Sequence, residues 1–77
     1  MTRYLTEHSL SGHRVETWRK ASTAAAAAQD AAEAVERGLW VKDAGIGTSL
    51  TGRYERFIVM RGATRAIGSI RVYVDKA

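Results

Sequence analysis

Between Thr23 and Arg37 apolar and polar positions separate with a helical period. Ala24, Ala28, Ala31, Ala32 and Val35, with Leu39 in line, share one face, and Gln29, Asp30, Glu33, Glu36 and Arg37 take the other. Ser22 or Thr23 can cap the first turn, and Gly38 stands where a helix leaves through a positive φ. A buried face made mostly of alanine removes little area from water per residue, but it lets the helix backbone come close to its neighbour. The pattern predicts a helix docked on a sheet, too small-faced to hold a bundle together.

Period-two segments lie on both sides of the helix. His13–Arg19 reads as a strand, with Val15, Thr17 and Trp18 as its β-formers. Tyr4–His8 is a weaker candidate that would pair with it across Ser9–Gly12, because its own alternation is poor. After the helix, Leu39–Lys42 predicts a short strand, and Ala44–Gly52 reads as a long, flexible, glycine-rich connection. Arg53–Arg61 and Thr64–Val74 predict a hairpin across a two-residue Gly62-Ala63 turn. That turn sets Val59 opposite Ala66, Phe57 opposite Gly68 and Glu55 opposite Ile70. One side then carries Phe57, Val59, Ala66, Gly68, Ile70, Val72 and Val74, a core face. The other carries Tyr54, Arg56, Ile58, Met60, Arg65, Ile67, Arg71 and Tyr73. A one-residue slip would exchange the two sides, and the apolarity of the first argues against it. The expected architecture is α+β: one domain over residues 1–77, a mostly antiparallel sheet of four or five strands in the order β(β)αβββ, with one Ala-rich helix packed on one face.

Composition narrows the class. Seventy-seven residues leave room for one small core. There is no cysteine, which removes disulfides, thiolate metal sites and cysteine nucleophiles and favours a reducing compartment. No apolar run approaches the roughly 20 residues that span a bilayer, and the N-terminus lacks the apolar segment of a signal peptide. A cytoplasmic protein with no membrane partner is expected. The net charge is +4, and nine of the twelve basic residues are arginine. The helix carries a net −2, so the excess lies elsewhere: Arg53, Arg56, Arg61, Arg65, Arg71 and Lys76 face only Glu55 and Asp75 in the C-terminal third. An anionic partner accounts for this, and so does a simple bias towards Ala and Arg.

A search for chemistry returns little. His8 and His13 stand five apart without cysteine partners or the helical spacing of a zinc pair, so no metal ligand is assigned. No serine sits in a nucleophile motif, and no pair of carboxylates stands out as acid and base. Gly47–Tyr54 approaches a phosphate-binding loop, but Arg53 and Tyr54 replace its Lys and hydroxyl, and it leads into a strand rather than a helix. Gly45 and Gly47 lack the third glycine of a dinucleotide fingerprint, since Leu50 stands there. The chain is read as no enzyme, with no catalytic residue and no cofactor. Trp18 and Trp40 flank the helix, as edge-of-core anchors or as binding residues.

The outer hairpin face is the candidate partner-binding surface. Arg56, Arg65 and Arg71, interleaved with Tyr54 and Tyr73, offer cations and flat rings together, which suits nucleic acid or an acidic protein groove. Ile58, Met60 and Ile67 would give that face an apolar centre.

Trp18-Arg19-Lys20-Ala21-Ser22-Thr23, followed by the Ala/Glu helix and then Leu39-Trp40-Val41, resembles small phage and mobile-element proteins. Among these the chain is most similar to the anti-CRISPR proteins that inhibit type I surveillance complexes. The likeness covers about half the chain, and it carries no motif that would transfer a functional residue. It implies a non-enzymatic inhibitor that binds a protein subunit of the complex, with or without nucleic acid, and blocks target DNA recognition. Many such inhibitors are acidic DNA mimics, whereas this chain is basic, so it would occupy an acidic protein patch or hold DNA unproductively. Two other readings stand beside it: a small module that contacts nucleic-acid phosphates, and a minor structural or assembly protein of a phage.

Overall fold

In a computed structural model, which describes residues 1–10 and 12–74, the alanine run forms helix α1, Ala24–Val35. Thr23 caps it, its hydroxyl accepting a hydrogen bond from the Ala26 N–H at 3.1 Å. The helix ends two residues earlier than its charge pattern predicts: the Glu36 N–H closes the last turn on Ala32 C=O, and Gly38, at φ +91°, turns the chain back.

Five strands complete the fold: β1 Thr2–Leu10, β2 His13–Ala21, β3 Trp40–Ser49, β4 Gly52–Arg61 and β5 Arg65–Val74. They form one antiparallel sheet in the order β2-β1-β5-β4-β3. The expected α+β class and element order hold, with five strands in the sheet. The turn expected over Ser9–Gly12 includes Ser11, and the charge count includes Asp75 and Lys76; these three lie outside the described residues.

The helix joins β2 to β3, the two outermost strands, so it must cross the whole sheet. Its 12 residues span roughly 18 Å, against about 19 Å across five strands. Its length therefore matches the crossing. Ala24, Ala27, Ala28, Ala31 and Ala32 face the sheet and are buried, and α1 touches every strand. The bulk of the core comes from the sheet: Tyr4, Phe57, Val59, Ile70 and Val72, with Leu39 beyond the helix. Val35, placed on the buried face by its spacing, is half exposed because it lies at the helix end.

Four expectations need correction. Ala44–Gly52 is not a loose connection: most of it belongs to β3, and Leu50-Thr51 form its turn into β4. Glycine-poor alternation is the usual sign of a strand, and here two glycines hide it. The second correction is the register of the C-terminal hairpin. Phe57 faces Ile70, and Val59 faces Gly68, two residues from the expected pairing. A three-residue connection, Gly62–Thr64, and an extra residue, Ile67, produce the shift. A shift of two preserves the faces, so Phe57, Val59, Ile70 and Val72 are core as expected. Beyond the bulge the parity reverses: Ile67 packs against the helix-side core, while Ala66 is exposed.

The third concerns Gln29, assigned by pattern to the solvated face. Its side-chain amide donates to Leu39 C=O at 2.8 Å and accepts from the Val41 N–H at 3.1 Å, satisfying the outer edge of β3. The fourth is Tyr4–His8, whose poor alternation has a physical cause. β1 alternates regularly, but its inward residues include Thr6 and His8, both buried, and its outward residues include Leu5. The Thr6 hydroxyl donates to Thr17 C=O and accepts from Arg19 Nε. His8 Nε2 is buried with no hydrogen-bond partner among the described residues.

Two measurements test this packing. Ala28→Leu should overfill the helix–sheet contact and cost about 1–3 kcal/mol. Gln29→Leu should also destabilise, by about 1–3 kcal/mol, because it strands the Leu39 and Val41 backbone groups; urea unfolding of both variants checks it. Burial, and then the nearby Arg19 charge, push the His8 imidazole below its ordinary value of 6.5. The unfolded chain therefore takes up a proton near 6.5 that the folded chain refuses. Stability should be full above that pH and decline as pH falls below it, towards the folded-state pKa. In His8→Leu that portion of the melting-temperature profile should be flat.

Candidate functional site

Among the described residues α1 covers one face of the sheet, and no second layer covers the other. Alternation and register arrange its side chains in cross-strand rows. One row runs Trp18, Leu5, Tyr73, Tyr54, Gly47. The next runs Glu16, Glu7, Arg71, Arg56, and a third runs Arg14, Ser9, Ser69, Ile58, Lys42. Arg3 and Lys20 lie beyond the aromatic row. Six cations, Arg3, Arg14, Lys20, Lys42, Arg56 and Arg71, thus share this face with two acids, Glu7 and Glu16. The cation surplus of the sequence is concentrated on one side.

The structure brings four of the five expected binding residues together. The Tyr54 and Tyr73 rings meet at 5.5 Å between centroids, and the Arg71 guanidinium lies over Tyr54 at 4.6 Å. The Tyr73 hydroxyl, and then Tyr54, hold Arg71 above its ordinary value. Arg56 stands directly opposite Arg71 on β4. The exception is Arg65, which pairs with Arg61. Arg61 is on the helix side, where its guanidinium grips the Glu36 carboxylate through two bonds of 2.8 and 3.1 Å. Arg65 therefore points to the helix side, because the Ile67 bulge reversed its parity.

Tyr73 is buried, and its hydroxyl hydrogen-bonds with Ser49 at 3.1 Å. Burial alone would raise its pKa, but hydrogen bonding with Ser49, Thr51 and Arg71 outweighs it and leaves a net lowering. The Ser49 contact draws the β3–β4 turn over the open face. Between that turn and β1–β2 lies a cleft of about 350 Å³, lined on one side by Leu5, Glu16 and Trp18 and on the other by Thr51, Gly52 and Arg53.

Two glycines shape this face. At Gly47 a Cβ would strike the Tyr54 ring, so the missing side chain makes room for the aromatic cluster. Gly45, at φ +93°, forms a bulge with Ala44 opposite Arg56, and the Asp43 carboxylate accepts its N–H at 2.8 Å. Arg56 has no hydrogen-bond or ion-pair partner among the described residues and is exposed.

Sequence reasoning did not assign Arg3, Arg14, Lys20, Lys42, Glu7 or Glu16 to the site, because no local pattern shows that β1, and through it β2, lies beside β5, or that β3 lies beside β4. The two tryptophans are partly exposed. Trp18 holds the Arg3 guanidinium 4.3 Å from its ring centre, and Trp40 donates from Nε1 to Gly62 C=O at 2.7 Å. No group of three or more His, Cys, Asp or Glu able to hold a metal occurs among the described residues, and no helix there is long and apolar enough to cross a membrane.

The fold and the face define a small α+β protein with a one-layer sheet and a cation-rich open surface. Set against family models, curated proteins and solved structures, the chain matches none.

The two packed glycines should behave differently. At Gly47 the obstacle is the far end of the Tyr54 side chain, which can swing away. Gly47→Ala should cost about 0.5–1.5 kcal/mol, the aromatic contact that Tyr54 gives up as it moves, while altering the near-ultraviolet tyrosine signal. At Gly68 a Cβ would meet Ser9 C=O, a backbone atom, at 2.6 Å. Gly68→Ala should cost about 1–3 kcal/mol in urea titration.

Proposed function

We propose that the chain is a non-enzymatic binding module that seats a nucleic-acid strand against the open face of its sheet, holding it by the phosphates. The observation that carries this reading is the concentration of six cations and two acids on the one face without a second layer. Repeated phosphates match cations spread over several rows better than a single carboxylate does. Arg56 and Lys42 are the contacts on the β3–β4 side, since neither is tied to another group among the described residues. Arg71 acts differently: stacked on Tyr54 and beside Tyr73, it holds the face rigid and adds charge to it.

A second reading is the inhibitor of a type I CRISPR surveillance complex that the resemblance implies. It uses the same face against an acidic protein patch. One observation favours a protein partner: Tyr54 and Tyr73 are packed on each other and under Arg71, so they offer a fixed relief rather than open rings for base stacking.

Salt dependence separates the two. Binding of labelled single-stranded and duplex DNA, followed by anisotropy from about 50 to 200 mM salt, should give a steep linear log–log slope. Arg56→Glu with Lys42→Glu should weaken binding and make that slope shallower by about one for each phosphate no longer neutralised, while leaving the melting temperature near the parent's. Absence of DNA binding at the lowest salt defeats the first reading. Stoichiometric capture by a purified surveillance complex, with a shallow slope, would establish the second.

A further inference from the structure

The two edges of the sheet are protected unequally. At the start of β3 the Gln29 amide meets two outward backbone groups, Leu39 C=O just before the strand and Val41 N–H within it, and farther along the strand's line is broken by the bulge at Ala44-Gly45. β2 has neither device. All nine of its residues pair in unbroken register with β1, so one side of a regular strand is left with outward N–H and C=O groups. Exposed apolar side chains gather along the same edge: Val15 is 56% exposed, Trp18 47%, and Val35 of the adjoining helix end 50%. Beneath Val15 and Val35 a cavity of about 140 Å³ opens beside His8 and Thr17.

Charge points to the occupant. Glu16 stands directly opposite Glu7 on β1, a like-charge pair that disfavours the sheet. Arg14 lies 3.6 Å from Glu7, and Glu16 has no partner among the described residues. The missing counter-charge is available on another copy of the same strand. We propose that β2 pairs antiparallel with β2 of a second copy about a two-fold axis at Val15. In that register Val15 meets Val15, Arg14 of each copy faces Glu16 of the other, and His13 faces Thr17. Both Val15 side chains come under cover beside Val35, over the mouth of the cavity. The axis stands perpendicular to the sheet, so both helices lie on one side and the two cation-rich faces join into one on the other. The pairing rests on the edge alone and holds whatever the open face binds.

Sedimentation equilibrium on the full chain tests it. The expected mass approaches twice the 8.4 kDa of one chain as concentration rises. Glu16→Arg, which sets arginine against Arg14, should weaken the dimer at least about tenfold. The double exchange Arg14→Glu with Glu16→Arg restores the opposite charges and should restore the dimer. Val15→Lys should give a monomer with an unchanged circular dichroism spectrum, which separates loss of pairing from loss of fold. A mass of one chain at all concentrations up to roughly 1 mM overturns the proposal. So does a dimer that is indifferent to these variants, because its interface would lie elsewhere.

Discussion

The close approach of an alanine face to a five-stranded sheet is the contact on which the rest of the structure depends. Because α1 connects the two outermost strands, it has to lie across all of them, and any bulky inward residue would lift it away from several strands at once. Ala27, Ala28 and Ala32 have no exposed surface at all. The size missing from the helix is supplied from below by Tyr4, Phe57, Ile70 and Val72, so small residues above interlock with large ones beneath. The same geometry brings Gln29 within reach of β3 and Glu36 within reach of Arg61. Helix and far edge are therefore joined by polar bonds as well as by packing.

One helix can cover only one face. The other must keep its shape without a second layer, and it does so through its own cross-strand pairs: ring on ring at Tyr54–Tyr73, guanidinium on ring at Arg71–Tyr54 and Arg3–Trp18, and Gly47 beneath Tyr54. This divides the cations into two kinds. Arg61 and Arg71 are committed to internal contacts, whereas Arg56 and Lys42 project without such ties among the described residues. A charge count treats them all alike, but their energetic roles differ. Removing a committed arginine disturbs the fold and the face together.

Much of this was legible in the sequence. The helix, its Thr23 cap, the edge of its buried stripe and the two faces of the C-terminal hairpin follow from local spacing, because burial selects apolar residues at the period of the element that buries them. The faces survived a register error of two residues for the same reason: side chains in a strand repeat every second position. Of the candidate site, Tyr54, Arg56, Arg71 and Tyr73 were placed on one surface by that alternation alone.

What only the tertiary structure decided lies where a residue's role depends on a distant partner. Arg65 changes sides because one extra residue, Ile67, is absorbed against β4. Gly45 and Gly47 read as loop until β4 supplies the strand that turns them into a bulge and a seat for a ring. Thr6 and His8 look like surface residues until α1 closes over them, and Gln29 looks solvated until the edge of β3 arrives beside it. By itself the sequence determined which segments could bury a face. The order of the strands and their bulges determined which side chains meet, because pairing across a sheet is set by contacts far apart in the chain and leaves no local period to read.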